Sequence, residues 1–497
     1  MIRAASVFLL MTAVCAVAAD SASDRWPQFR GPAGSGVNDE QKSLPVEFGP
    51  GKKVAWRTEL PSGHGSPCVW GDRIFVTSFD PAKKLLEVIA INRKDGKIVW
   101  RNAISAPEIE KVHEEGNPAA STPTTDGERV YVYLGSFGVI AYDFGGKVVW
   151  QHPLPLYTGP YGSGTSPVLA GDLVLVSRDY RPAPALIALN KKDGTLVWNA
   201  TLTPVRFAHS ASHSTPLIWK DEVVLNRPTR VSGHSLKDGH ELWMVPTTST
   251  GEASPTSDGE TIFAAAFNMG SDPMAKVEKT PWSVALAKYD KNKDGKLSKE
   301  ELPDFDLLYL RRVGVRDDIV GAHFTVKTFF GNNDRNKDGF LDEQEYDSVF
   351  ARAETPPAEN NGLMAIRPEG EGDISEKAVV WRERRGIPEV PAPMFYRGRA
   401  YMVANGGVLT AVDAKTGKLL FRGRVNAPGA YYASPVAGAG KIFVSSSEGV
   451  ITVLSDGPEM KILSSNDLGE RIYGTPALVD AHIYVRTSKA LWAFGEK

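Results

Sequence analysis

Short apolar runs bounded by turn residues recur along most of the chain. Segments such as IFVTS (74–78) and VIAIN (88–92) are rich in β-branched residues and flanked by Gly, Asp or Asn. That is the pattern of strands rather than of amphipathic helices. The runs fall into units. Each opens with a proline, at Pro67, Pro123, Pro167, Pro216, Pro255, Pro393, Pro435 and Pro476. An apolar pair, a Gly/Asp turn and a short alternating strand follow. The residues before these prolines are Ser66, Thr122, Ser166, Thr215, Ser254, Ala392, Ser434 and Thr475, so seven of the eight carry a small hydroxyl. Two places before the proline the residue is again small, except at Pro391. Such bias marks a crowded column where backbones converge on an axis. A second signature closes most units: KDGKIVW ends at Trp100, GGKVVW at Trp150, KDGTLVW at Trp198, KDGHELW at Trp243, KAVVW at Trp381 and KTGKLLF at Phe421. Its Asp-Gly or Thr-Gly pair suits a hairpin turn, where a positive φ favours glycine.

Each unit therefore reads as four strands, and four-stranded units repeated around an axis are propeller blades. The sequence predicts an all-β fold, an eight-bladed β-propeller. The last unit, Tyr473 to Phe494, supplies only three strands, and Lys53 to Leu60 with Trp56 supplies the fourth. The N-terminal strand closes the ring and removes the exposed sheet edges.

One interval departs from the rest. Pro255 to Pro393 is more than twice as long as any other, which places an insertion in blade five. It contains two twelve-residue loops, DKNKDGKLSKEE (Asp290 to Glu301) and DRNKDGFLDEQE (Asp334 to Glu345). Both match the EF-hand pattern at every ligand position. In the first, Asp290, Asn292 and Asp294 offer side-chain oxygens, Lys296 its carbonyl, Ser298 a direct or water-mediated contact and Glu301 a bidentate carboxylate. In the second, the same roles fall to Asp334, Asn336, Asp338, the Phe340 carbonyl, Asp342 and Glu345. Gly295 and Gly339 take the sharp turn at the sixth position, and Leu297 and Leu341 the eighth, which pairs two loops in that family. Such hard oxygen ligands suit Ca²⁺, two ions in all, rather than zinc or copper. The insertion is expected to be a small all-α EF-hand pair.

Composition narrows the setting. The chain has 497 residues, 42% hydrophobic and 23% charged, with a formal net charge of −2. That balance gives no footprint for nucleic acid. Arg3, the apolar stretch Ala4 to Val14 and small residues at Ala16 to Ala19 read as a signal peptide, too short to span a bilayer, which takes about 20 apolar residues. The alternative, a lipoprotein anchor at Cys15, conflicts with Val14, where a small residue is usual. Of the two cysteines, only Cys68 survives cleavage, so no intramolecular disulfide forms. The expected organisation is signal peptide 1–19, N-terminal segment 20–52, propeller 53–269 and 358–497, and EF-hand insertion 270–357.

The Trp-ended blades with their G-K-x-x-W motif, and the opening WPQFRGP (Trp26 to Pro32), resemble the PQQ-like repeat family of exported bacterial propellers. That family includes quinoprotein alcohol dehydrogenases and non-catalytic scaffolds of the BamB kind, so the resemblance implies a fold and leaves the activity open. The dehydrogenases carry an adjacent cysteine pair over the quinone, which this chain lacks, and PQQ is not expected. The primary expectation is a non-catalytic binding or scaffold protein of the cell envelope, periplasmic or extracellular; the alternative is a PQQ-dependent dehydrogenase. In an antiparallel blade, the second-to-third loop and the blade-to-blade connection leave from the same face. The insertion therefore overhangs the mouth where the pre-proline segments meet. Candidate lining residues are His64, Glu114, Glu115, Tyr161, His209, His213, Glu252, Glu389, Tyr431, Tyr432, Arg471 and Tyr473, and the long blade-one exit (Ala103 to Pro118) adds to the rim. The expected partner there is a protein, peptide or envelope polymer.

Overall fold

A proline that opens a strand has no N–H to give to the sheet, and it holds the residue before it in an extended conformation. In the computed structural model each of the eight inner strands begins on the residue after a repeat proline: Cys68–Trp70, Thr124–Thr125, Val168–Ala170, Leu217–Trp219, Thr256–Ser257, Met394–Tyr396, Val436–Gly438 and Ala477–Val479. The structure describes residues 22–497 apart from 42, 114, 160, 181–182, 205–210, 268–274, 304–307, 313–325, 328–329, 352–358, 428 and 497. The signal peptide, Glu114 and His209 lie outside the described residues.

The extended pre-proline residue aims its own N–H sideways, at the neighbouring blade. Ser66 N donates to Thr122 Oγ1, Thr122 N to Ser166 Oγ, Ser166 N to Thr215 Oγ1 and Thr215 N to Ser254 Oγ, at 2.8–3.0 Å. The chain of bonds resumes from Ala392 N to Ser434 Oγ, Ser434 N to Thr475 Oγ1 and Thr475 N back to Ser66 Oγ, at 2.9–3.0 Å. Seven links run around the axis. The eighth is missing because its acceptor position is Ala392. The repeated hydroxyl is thus the acceptor of a buried amide–hydroxyl ring. The small residues beside it are required by crowding: a Cβ on Gly65 would lie 2.7 Å from the Ser121 carbonyl oxygen.

Outside this ring the sheets form eight blades in sequence order. Val54–Glu59 pairs antiparallel with Ala490–Phe494, Arg57 opposite Trp492, and completes blade eight. The closing tryptophans then lock neighbours. Trp56, Trp100, Trp150, Trp198 and Trp381 each donate Nε1–H to a carbonyl in the next blade, at 2.9–3.2 Å. The turn glycine of that next blade lies flat on the indole. A Cβ on Gly96 would come within 2.6 Å of Trp56, so this glycine is needed for close approach as well as for its φ of 72°. Ring closure therefore uses the same lock as the internal joints. Blade four differs: Trp243 bonds Glu222 Oε2 of its own blade at 2.7 Å, and its strand edge is covered by Gly372–Asp373 in parallel register.

The expected alternation holds only in the outer strands. In the two middle strands nearly every residue is buried, as in Ile74 to Ser78 and Val88 to Ile91. Propeller sheets pack face to face, so both faces are core. Apolar clusters bridge successive blades, for example Phe75 and Val88 with Val132 and Tyr142.

The N-terminal segment crosses the axis beneath the proline ring. Arg25–Trp26 pairs with Val69–Trp70, and the Pro27 carbonyl accepts from Thr125 N (2.9 Å) and Cys68 Sγ (3.2 Å). Further along, Arg30 reaches the Pro393 carbonyl, Val37 bridges to Ala437 and Asn38 donates to the Leu478 carbonyl. One segment so ties blades one, two, six, seven and eight.

The insertion leaves blade five between Ile262–Ala266 and Gly362–Ile366. It holds helices Trp282–Tyr289, Phe330–Asn333 and Glu343–Ala351, together with a two-stranded ribbon, Ala275–Lys279 with Leu308–Arg312. Its own small core includes Ala285, Leu297, Leu302, Phe330, Leu341 and Tyr346.

Replacing Thr122 by the nearly isosteric valine strands the buried Ser66 amide. The expected cost is roughly 1–3 kcal/mol, read as a lower denaturant midpoint with an unchanged slope. An Ala392→Gly variant, at the position that accepts no ring bond, tests whether the loss at Thr122 is specific to the hydroxyl.

Candidate functional sites

Both ends of the insertion emerge beside the pre-proline segment of blade five. Thr250 N donates to the Phe267 carbonyl, and the Asn361 side chain bonds Thr248 N and Oγ1 at 2.8 and 2.7 Å. The insertion and the converging segments therefore share the mouth face, as the parity of the blade requires.

At the mouth, side chains from different blades meet. His64 stacks on Tyr473 with centroids 3.9 Å apart, and Tyr473 lies 5.4 Å from Tyr432. Opposite them, His213 Nδ1 is 2.5 Å from Glu252 Oε2, and Tyr161, 48% exposed, meets the His213 ring edge-on. Glu389 accepts from Asn405 Nδ2, whose Oδ1 in turn accepts from Tyr431 N. Tyr431 itself is turned away: its ring is fully buried between blades six and seven, with its hydroxyl on the Ala427 carbonyl. It belongs to the core rather than to the mouth lining. Arg471 is exposed, 3.4 Å from the Tyr473 hydroxyl.

The blade-one exit does more than widen the rim; it crosses the mouth. Glu110 anchors one end through Ser136 on blade two and through Ser163 on blade three, whose N and Oγ donate to its carboxylate at 2.9 and 3.0 Å. His113 packs against Tyr161. Glu115 Oε1 accepts from the Tyr432 hydroxyl of blade seven at 2.6 Å, and Asn117 bonds Ser62 of blade one. Glu110, His113, Asn117 and Asn405 are site residues that strand periodicity does not reveal. The unusual length of the blade-one connection is the one signal in the sequence that points to the first three, and nothing local marks Asn405, which follows the strand Arg399–Ala404.

Burial sets the protonation chemistry. His64 is pulled down to about 4 by desolvation and by nearby Arg486. For His213, burial works against the charged form, but the Glu252 carboxylate outweighs it and the net shift is upward. Glu110, 2% exposed, is pushed up to about 7 by desolvation, against the pull of the Ser163 bonds. Cys68 is completely buried and burial drives its thiol far above the ordinary range, so it is no nucleophile.

In the first EF-type loop, Asp290 accepts from Lys293 N (2.6 Å) and Gly295 N (3.0 Å), and Glu301 reaches back to Lys291 N and Ser298 N. The second repeats this: Asp334 accepts from Gly339 N at 3.1 Å, and Glu345 from Arg335 N at 2.8 Å. Gly295 and Gly339 sit at φ 79° and 85°. Leu297 pairs with Leu341 and Ser298 with Phe340 across a two-residue bridge, which joins the loops at the expected position. Asn292 and Asp294 in the first loop, and Asn336, Asp338 and Asp342 in the second, likewise bond loop amides. With the carboxylates turned onto these amides, no three acidic, His or Cys side chains converge on one point among the described residues. Asp338 also accepts from Lys296 Nζ of the first loop at 2.7 Å.

The Glu110 shift carries a pH signature. A carboxyl group whose native pKa is raised binds its proton more tightly when folded, so its contribution is greatest below about 4.5 and is lost as pH rises toward 7. Glu110→Gln should therefore gain stability relative to the parent between pH 4.5 and 8, by roughly 2–3 kcal/mol. Chemical denaturation at the two pH values measures it; a difference that does not change with pH would contradict the assignment.

A family model described as outer membrane protein assembly factor BamB matches residues 49–159, 86–291 and 370–455, more than half of the chain. An EF-hand model matches residues 284–305, around the first loop. The outer membrane protein assembly factor BamB of Yersinia pestis is 23% identical over 338 residues, covering 64% of this chain and 76% of that protein. Among solved structures, a europium-containing methanol dehydrogenase superposes with TM-score 0.54 at 14% identity, over 95% of this chain and 91% of its own. The quinohemoprotein alcohol dehydrogenase of Comamonas testosteroni gives 0.54 at 12% identity, over 97% and 82%. At such identities the two enzymes share the fold alone. With the family model matching more than half of the chain, over most of the propeller, this chain belongs to the BamB family of PQQ-like β-propellers.

Proposed function

We propose that the protein is an exported, calcium-binding propeller that acts as a non-catalytic binding or scaffold protein in the periplasm or outside the cell. The mouth carries this reading. Side chains from seven blades and the blade-one connection converge there, some of them joined by the Glu115–Tyr432 and His213–Glu252 contacts. That builds a broad polar and aromatic surface suited to a protein, peptide or envelope polymer.

The two loops of the insertion fit calcium by donor chemistry: Asp290, Asn292, Asp294, the Lys296 carbonyl, Ser298 and Glu301 in one, and Asp334, Asn336, Asp338, the Phe340 carbonyl, Asp342 and Glu345 in the other. Bound calcium would draw the loop carboxylates together, neutralise them and fix the angle of the flanking helices. Extracellular sites of this kind have Kd of about 10⁻⁴–10⁻³ M, so the pair serves as a filled structural unit rather than a switch.

The second reading, a PQQ-dependent dehydrogenase, draws on the fold shared with the two quinone enzymes. The residues at the mouth do not fit that cofactor. PQQ is a tricarboxylate, whereas Glu115, Glu252 and Glu389 gather there and the blade-one connection crosses the opening. Like charges brought together in a partly buried site repel.

Calorimetry on the mature protein should give two calcium sites, with Glu301→Gln and Glu345→Gln each removing one. Lys296→Met, which frees the Asp338 carboxylate and keeps the Lys296 carbonyl, should tighten the second loop a few-fold and leave the first unchanged. Titration with PQQ in millimolar calcium should show no saturable binding. Saturable PQQ binding would overturn the scaffold reading, and an absence of calcium binding would overturn the metal assignment.

A further inference from the structure

Neighbouring blades need only a short link, yet the connection from blade one to blade two reaches across the mouth. Val112 and His113 pack at the entry to blade three: a Cβ on Gly162 would lie 2.6 Å from Val112 Cγ1, and His113 meets the Tyr161 ring. The backbone stays close there, since a Cβ on Gly116 would lie 2.5 Å from the Tyr161 carbonyl oxygen. Between these contacts the Glu115 side chain accepts from the Tyr432 hydroxyl, at the entry to blade seven. In a ring of eight blades the third and seventh face each other over the axis.

The two ends are held unequally. Glu115–Tyr432 is a single exposed bond. Glu110 is 2% exposed and wedged in place: a Cβ on Gly135 would lie 2.5 Å from its Oε2. Its N donates to Ser136 Oγ, Oε2 accepts from Ser163 N at 2.9 Å, and Oε1 is 3.0 Å from Ser163 Oγ. With a proton on Oε1 the last bond runs from Glu110 to Ser163, and no charge sits in the pocket. Few groups face this carboxyl. Arg178 of blade three and His213 of the entry to blade four favour its charged form. The hydroxyls of Tyr133 and Tyr157 lie near it, and Glu252 is bonded to His213. On its own connection Glu108, Lys111, His113 and Glu115 are exposed. Desolvation outweighs the favourable charges and holds Glu110 at about 7.

We propose that residues 109–113 and 115–117 form a proton-controlled strap over the mouth, latched by protonated Glu110 and released from Ser163 when that proton is lost. The sign follows from linkage. The closed strap binds the proton more tightly than the open one, so closure is strongest below the ordinary carboxyl value of 4.5 and weakens as pH rises through about 7. Release frees Tyr161 and Tyr432. That this serves a partner rests on the mouth being the binding surface; the movement itself does not, and the scaffold reading stands or falls separately on the PQQ titration.

Hydrogen exchange on the purified mature protein, corrected for the intrinsic pH dependence of amide exchange, reads the movement through peptides covering 109–117. Opening should increase roughly thirtyfold between pH 5.5 and 8 in the parent, while the middle strands of blade one, Arg73–Asp80 and Leu85–Asn92, keep their protection. Glu110→Gln, whose amide can donate to Ser163 Oγ without ionising, should hold the pH 5.5 level at pH 8. Tyr432→Phe removes the far anchor and should speed exchange alike at both pH values. Strap exchange that does not change with pH in the parent would overturn the proposal, as would the parent's pH dependence persisting in Glu110→Gln or an unaltered rate in Tyr432→Phe. Protection lost from the middle strands together with the strap would mark global unfolding and overturn it as well.

Discussion

The fold depends on how eight backbones can meet at one axis without leaving buried amides unpaired. Each blade must enter through an extended residue, and proline enforces that conformation while removing its own N–H from the count. The N–H just before the proline remains, too far inside to reach water. A hydroxyl on the next blade accepts it, and the arrangement repeats from Ser66 through Ser254 and from Ala392 back to Ser66. Each bond contributes only about 1 kcal/mol. Their closure into a ring makes them interdependent, since a blade that shifts disturbs the acceptor of one neighbour and the donor of the other. Toward the outside the tryptophan–glycine lock continues the same logic, and Trp56 applies it to the joint between the first and last blades.

With the axis held in this way, the two faces take different roles. Beneath the ring the N-terminal segment ties five blades together and sets Arg30 at the one junction that lacks a ring bond. Above it, the pre-proline segments leave His64, His213, Glu252, Tyr432 and Tyr473 around a common opening, and the connection between blades one and two lies across it. The calcium-type insertion departs from this same face because a second-to-third loop has no other side on which to emerge. The mouth lining and the insertion are thereby placed together without any change to the blades.

Much of this was legible because repetition amplifies weak signals. A single Ser-Pro step says little, but a small hydroxyl in seven of eight aligned positions reveals a column, and the ligand spacing of the two loops reveals their chemistry. Gly96 illustrates partial legibility: its turn conformation follows from the Asp-Gly pair, whereas its contact with Trp56 belongs to another blade and leaves no local mark. The burial of Tyr431, the near-continuous burial of the middle strands and the path of Glu110 to Glu115 across the mouth are likewise set by packing between distant parts of the chain. Arg30 is the clearest case. Nothing within WPQFRGP marks it as buried, and only its place beneath the ring shows that it is buried and half unpaired.

The most direct test of the account is native-state hydrogen exchange resolved at the pre-proline amides. If the ring holds the propeller together, the amides of Ser66, Thr122, Ser166, Thr215, Ala392, Ser434 and Thr475 exchange only through global unfolding, and Ser254, without a ring acceptor, exchanges measurably faster. Exchange of these seven amides at the rate of the surface turns, with the middle strands still protected, would show that the ring carries no weight and that strand pairing and tryptophan docking alone hold the blades.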